Sequence, residues 1–475
     1  MDELPRMRSE LEQLKEKEQH LQEALSRVRV EIEAHSSRIE HIAWTKAPIN
    51  SLPSEILSYV LELATLSRGD NPYFKILDLQ LVSRYWRDNI RNFPKFWSRI
   101  YLFRSTNMSF VRTHLTRSNQ YPLDIAIQFG LGANDDQITT STDIIVSHVH
   151  RWRTLKIGGS DRCFQIILDK INHLKFPSLT HVVMRTDRFQ PIQYPAFLRP
   201  DNSPSLKSLR IYGLIPMDEF SPGQTFGQKI TDLSLVFTED VNRLEPLTLP
   251  SLLSSQRLTT LDLTYSRCPA LSPNSISLPL LNSLTLRSNY PRELLTAMVA
   301  PKLSYFSLTD VITPLSIFYR LESKFCNVRH LVLRFGLSVA DTQSVPLAFP
   351  NVHNVELEIE QVDDFFEPNP EGSCAVDRWR SLQSLTFHEM DIDSTPYLEC
   401  WLRRWKTAGL PMLRVKFVDC VFRSHSEEEE DYSTPRSLLH FHNQLRRVCI
   451  LDIVDDTLHT TQQVSSQTSS PSLSV

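Results

Sequence analysis

The sequence predicts a mixed α+β or α/β solenoid: an N-terminal coiled-coil helix, a small three-helix unit, and an irregular stack of short strands. Three observations predict it. Residues 4–42 carry an apolar heptad, residues 47–102 hold three short amphipathic pieces, and one apolar-x-x-apolar-x-apolar pattern then recurs to residue 450. The expected divisions are a coiled-coil helix over 1–43, the helical unit over 47–102, the array over 103–456, and a tail over 457–475 that is rich in Ser, Thr and Gln and is expected to be disordered.

In the heptad, positions a and d are Leu4, Met7, Leu11, Leu14, Glu18, Leu21, Leu25, Val28, Ile32, His35, Ile39 and Ile42, and ten of these twelve are apolar. A seam sustained at a strict 3.5-residue period matches a coiled coil. In a parallel homodimer Glu3 would face Arg8 and Glu10 would face Lys15, attractive pairs at positions g and e. Glu18 and His35 weaken the seam and restrict its register. Three partners stay open: a second copy, a different chain, or the protein's own body. Residues 43–48 join this helix to the next unit, because Pro48 disfavours helical geometry at Ala47.

Within 47–102, Ser51 is placed to cap a helix with Pro53 and Glu55 in its first turn, and Ile56, Leu57, Val60, Leu61 and Ala64 form its apolar stripe. Gly69 and Pro72 break that helix. A second stripe follows in Leu79, Val82, Trp86 and Ile90, and Phe96 and Trp97 come after Pro94. So small a unit encloses little core, and some of its apolar surface calls for a partner.

These residues resemble an F-box, through Leu52-Pro53-x-Glu55-Ile56-Leu57, the Val82-x-x-x-Trp86-Arg87 block, and Pro94-x-x-Trp97-x-x-Ile100. The resemblance implies docking on a Skp-type adaptor of a cullin–RING (SCF-type) ubiquitin ligase through Leu52, Pro53, Ile56, Leu57, Val82 and Trp86. The rest of the chain would then select a protein substrate. The polar connection from Ser67 to Lys75 departs from the family. The competing reading is a scaffold or receptor outside ubiquitin chemistry, whose helices only cap the following domain.

The array pattern appears as Trp97/Ile100/Leu102, Trp152/Leu155/Ile157, Leu179/Val182/Met184, Leu206/Leu209/Ile211, Ile230/Leu233/Leu235 and Leu258/Leu261/Leu263. It continues as Leu281/Leu284/Leu286, Leu303/Phe306/Leu308, Val328/Leu331/Leu333, Val352/Val355/Leu357, Leu382/Leu385/Phe387 and Leu445/Val448/Ile450. Segments starting at Leu123 and Leu413 are degenerate members. First positions from Ile230 to Val352 are 28, 23, 22, 25 and 24 residues apart, too wide for a sandwich with turns every ~8–12 residues. Each repeat reads as one short strand whose apolar face is buried only by stacking on its neighbours. Prolines just before the first apolar position are expected to set the turn into the strand. The array resembles leucine-rich repeats, without their usual Asn after the strand except at Asn289. The x positions, among them Lys207, Ser208, Arg210, Thr259, Thr260, Asp262, Asn282, Ser283, Thr285, Arg329, His330, Gln383, Ser384 and Thr386, are expected to line a concave face. That set suits a polypeptide, and it singles out no substrate-binding residue.

Composition narrows the function classes. A net charge of −4 gives no reason to expect nucleic acid or an anionic membrane as partner, and no run of eighteen apolar residues spans a bilayer. The N-terminus lacks the apolar core of a secretory signal. Seven scattered cysteines without CxxC spacing argue against a disulfide framework or zinc site, so a reduced intracellular protein, cytoplasmic or nuclear, is expected. Eleven glycines are few against the usual ~7%, and no phosphate-loop, nucleophile-elbow or HExxH motif occurs. The expectation is a non-enzymatic protein with no cofactor and no metal. His148 with His150, His440 with His442, and Asp391 with Asp393 are pairs without the three or four ligands a metal needs. The acidic run 424–433 reads as a solvated loop.

Overall fold

The computed structural model describes residues 3–65, 72–130, 132–186, 195–213, 229–237, 257–266, 270–312, 316–335, 339–358, 363–388, 395–418 and 445–454. Cys268, Cys420, Asp391, Asp393, His440, His442, the acidic run 424–433 and the tail 457–475 lie outside the described residues, as does most of the Ser67–Lys75 connection. The chain divides into two compact units, Met1–Arg99 with Thr113–Tyr121, and Ile100–Arg112 with Pro122–Val475.

The first unit opens with helix α1 (Glu3–Lys46), about 66 Å long at 1.5 Å per residue. It runs past the expected boundary at residue 43 and stops where Pro48 holds Ala47 extended (φ −71°, ψ 117°). A 3-10 turn (Pro48–Ser51) follows, then α2 (Ser54–Thr65), α3 (Pro72–Val82), α4 (Arg84–Asn92) and a second 3-10 turn (Pro94–Trp97). Two local expectations are corrected. Ser51 does not cap α2: it belongs to the first turn and donates its Oγ–H to the Pro48 carbonyl. The stripe from Leu79 to Ile90 is split between two helices, because extended Ser83 accepts the Trp86 N–H at 3.1 Å and starts α4 afresh. The core of this unit is Leu57, Leu61, Ile76, Ile90, Phe96 and Trp97.

The second unit is a fully parallel sheet with helices and turns between its strands. Apart from a separate two-stranded parallel pair (Ile276–Ser277 with Met298–Val299), the described strands form one fourteen-stranded sheet in spatial order identical to chain order: β1 (Arg99–Leu102), β2 (Leu123–Phe129), β3 (Trp152–Gly159), β4 (His181–Thr186), β5 (Ser208–Tyr212), β6 (Asp232–Val236) and β7 (Thr260–Tyr265). They continue as β8 (Ser283–Ser288), β9 (Tyr305–Thr309), β10 (His330–Arg334), β11 (Asn354–Glu358), β12 (Ser384–His388), β13 (Arg414–Val418) and β14 (Ile450–Val454). This is a mixed α/β architecture with one long parallel sheet. Both degenerate segments, at Leu123 and Leu413, are strands. From β1 to β12 the second and third apolar positions of each pattern point inward and are buried. The last pattern is out of register: Leu451, not Val448 or Ile450, pairs with the buried Val415, and Ile450 is exposed.

The expected proline turns occur, and the geometry shows how they work. Pro177, Pro204, Pro279 and Pro301 each take the second place of a four-residue turn. The N–H of Leu179, Leu206, Leu281 or Leu303 closes it on the carbonyl three residues back, at 3.2–3.3 Å. Proline's fixed φ suits that place. Wider spacings admit helices between the strands, such as Asp135–Val146 and Asp161–Ile171 near the start and Thr395–Thr407 near the end. Under the later strands the core is aromatic: Phe325 and Phe349 stack at 5.4 Å, and Trp401 packs on Phe366 at 5.2 Å. Gly159 ends β3 at φ +142°, where a Cβ would sit 2.2 Å from the Phe129 carbonyl oxygen, so glycine is required there.

Candidate docking surfaces

Two surfaces present side chains that the fold does not use. The first is the outer side of α2 and α3. Helix α2 is apolar on two faces: Leu57, Ser58, Leu61 and Thr65 are buried, while Ile56, Tyr59, Val60 and Leu63, spaced i, i+3, i+4, i+7, are exposed. On α3, Leu77, Leu81 and Val82 are exposed, Leu81 to 75%. A helix apolar all round is normally buried all round. Exposed to this degree, these faces form apolar surface that the unit's own core does not cover.

The six residues expected to dock divide into three groups. Pro53, Ile56 and Val82 are exposed, Ile56 to 50% and Val82 to 60%. Leu52 and Trp86 are half-buried against the core; the Trp86 indole donates to Asn50 Oδ1 at 3.3 Å, and Tyr85 O–H donates to the Leu52 carbonyl at 3.2 Å. Leu57 is fully buried and corrects the expectation: it holds the unit together and has no surface to offer. Sequence reasoning missed Tyr59, Leu63, Leu77 and Leu81. The signal for Tyr59 and Leu63 was a second apolar stripe on α2, and for Leu77 and Leu81 an i, i+4 pair on α3.

Electrostatics brace the same unit. Glu62, on α2, takes Lys95 at 2.7 Å and Arg99 at 3.7 Å. Trp97 donates its indole N–H to the Ile90 carbonyl at 2.9 Å and carries the Arg117 guanidinium over its ring at 4.5 Å. His114 packs edge-on against that ring, with Nδ1 3.2 Å from the Trp97 carbonyl. Burial is the main cause that lowers the His114 pKa to about 4; Arg117 adds to it, and backbone hydrogen bonds at Trp97 and Arg99 oppose it.

The second surface is the open face of the parallel sheet. Because the strands are in register, alternate residues form rows across it, such as Ser208, Asp232, Thr260, Ser283, Tyr305, His330, Asn354 and Ser384. Thr260, Asp262, Ser283, Thr285, His330, Ser384 and Thr386 are partly exposed there and Arg210 is exposed, as expected, but Val332 on the same face is buried. Lys207, Thr259, Asn282, Arg329 and Gln383 precede the strands rather than lying within them. Most charges on the later strands are already paired. Glu356 receives His330 Nε2 at 2.9 Å, with His388 Nε2 at 3.4 Å and Arg334 at 3.9 Å. The hydrogen bond from His330 is the main cause holding its carboxyl below the usual range; burial works against it.

Among the described residues, no group of three or more His, Cys, Asp and Glu side chains could hold a metal ion, and no helix is long and apolar enough to cross a membrane. His148 and His150 lie with ring centres 6.5 Å apart and no third ligand gathers with them. Cys163, Cys326, Cys374, Cys400 and Cys449 are free thiols. No protein-family model matches the chain, and no curated protein matches it either.

Proposed function

We propose that this chain is a non-enzymatic substrate-recognition adaptor of a cullin–RING ubiquitin ligase. The helical unit would bind a Skp-type adaptor through the outer faces of α2 and α3, and the open sheet face would receive a protein substrate. The observation that carries the reading is the second, exposed apolar stripe on a unit whose own core is only a handful of side chains. The F-box resemblance of Leu52–Leu57, Val82–Arg87 and Pro94–Ile100 names the partner that such a stripe would meet. In a cell the chain would work in the cytoplasm or nucleus, where such ligases act. The α1 seam adds a second copy: Met7, Leu11, Leu14, Leu21, Leu25, Val28, Ile32 and Ile39 are each more than half exposed, the state of a coiled-coil helix lacking its mate.

The test separates docking from folding. Ile56→Glu with Leu81→Glu changes two exposed positions and spares Leu57, Leu52 and Trp86. A few central apolar anchors dominate most interfaces, so the double variant should lose Skp-type adaptor co-purification by at least about tenfold while keeping the wild-type melting curve. Equal recovery from the folded variant would favour the scaffold reading, in which the helices serve only their own chain.

A further inference from the structure

On three consecutive strands near the start of the sheet, the open face carries cations and no carboxylate. Lys156 on β3, Arg185 on β4 and Arg210 on β5 are all exposed. The register fixes their spacing. Val183 pairs with both Lys156 and Arg210, which places those two residues two strands, about 10 Å, apart. Arg185 lies two residues, about 7 Å, along the middle strand from Val183, which puts it about 8 Å from each of the other two. The three charges therefore form a triangle on a rigid base. None of the ion pairs among the described residues engages Lys156, Arg185 or Arg210. Among the described residues, the acid on the neighbouring strand β2, Asp124, is already paired with the Arg153 guanidinium at 3.0 and 2.6 Å; on the far side Asp232 and Asp262, on β6 and β7, each accept one hydroxyl, from Thr231 at 2.7 Å and Ser234 at 3.1 Å, and close the patch with negative charge.

Holding three like charges this close is unfavourable in the free protein, and an anionic partner relieves it. We propose that the β3–β5 face is a receptor site for an acidic polypeptide segment, one with carboxylates two or three residues apart. An extended chain rises about 3.3 Å per residue, so such carboxylates fall about 7–10 Å apart and match the triangle. Nucleic acid fits less well. Its affinity builds from many phosphate contacts, whereas this patch offers three cations bounded by acids, on a chain of net charge −4. The inference rests on the receptor half of the function proposed above and is separable from its adaptor half.

The experiment uses the full chain with a fluorescein-labelled hexaglutamate peptide, read by anisotropy, beside a single-stranded DNA of equal length. Wild type should bind the peptide saturably, and more weakly as salt rises. Lys156→Gln, Arg185→Gln and Arg210→Gln together should weaken binding by about tenfold or more, and Arg210→Gln alone should weaken it measurably. Arg287→Gln with Lys416→Gln, on the same face but remote strands, should leave it within about twofold. Adaptor capture measured in parallel should be unchanged in every variant, so its failure in wild type bears only on the adaptor. Absence of saturable peptide binding, an equal loss in the remote variant, or tighter binding of the DNA would each overturn the site.

Discussion

His114 is kept neutral by its surroundings, and this ties the stability of the helical unit to pH. Its pKa falls from 6.5 to about 4 on folding, chiefly through burial. Between those values the unfolded chain binds the proton and the folded one does not, so stability is complete above pH 6.5 and is lost as pH falls toward 4. The loss attributable to His114 is on the order of 3 kcal/mol. Urea unfolding followed by tryptophan emission at stepped pH should show it, and His114→Gln should flatten that dependence even though it also removes the contact to the Trp97 carbonyl. An unchanged pH slope in the variant would place the acid sensitivity elsewhere. The same residue-by-residue view explains what was legible in the sequence of the docking surface. Apolar character was legible and direction was not, because Ile56 and Leu57 are neighbours that a helix turns about 100° apart, enough to send one inward and the other out. Leu57 went to the core and Ile56 to the surface, as packing against Ile76 and Ile90 decided.

Among elements, the strands were the most legible because each repeats one short pattern, and the breaks between helices were the least. The α3–α4 boundary depends on one hydroxyl, Ser83 Oγ on the Trp86 N–H, within a stretch whose apolar spacing is continuous. The β14 register failed because Leu445, Val448 and Ile450 mimic the pattern just ahead of the strand. For α1 the heptad was plain in the sequence, and its exposed seam makes a direct prediction. Deleting residues 1–43 removes no strand and no member of the Leu57–Trp97 core. The shortened chain should stay folded and run as a monomer in light scattering, where the full chain runs as a dimer. A full chain that is already monomeric would leave the seam to a different partner. Aggregation of the shortened chain, or loss of cooperative unfolding, would mean that α1 packs on its own protein.

At the scale of the whole sheet, the repeats are joined by backbone rather than by a row of identical side chains. Just before each strand one carbonyl accepts two N–H groups from the next repeat: Thr180 from Lys207 and Ser208, Lys207 from Thr231 and Asp232, Thr231 from Thr259 and Thr260, Thr259 from Asn282 and Ser283. The series runs on through Asn282, Ser304, Arg329 and His353 at 2.7–3.1 Å. Any residue has a carbonyl, so this link does not require the missing asparagines, and the hydroxyls of Thr180, Thr231, Thr259 and Ser304 add bonds to the preceding repeat's carbonyl at 3.0–3.3 Å. This link could not be read from side-chain types. It predicts how damage travels. Leu284→Ala, at a fully buried site in β8, should cost about 2–5 kcal/mol through lost transfer energy and a cavity. Ser283→Ala, on the open face, should stay within about 0.5 kcal/mol. Because each repeat bonds only to its neighbours, hydrogen exchange in Leu284→Ala should speed up at the Asn282, Ser304 and Tyr305 amides and in β7 and β9. Protection in β3 and β13 should hold. If exchange rose equally across all fourteen strands, the sheet would be one cooperative block, and the nearest-neighbour account of its stability would be wrong.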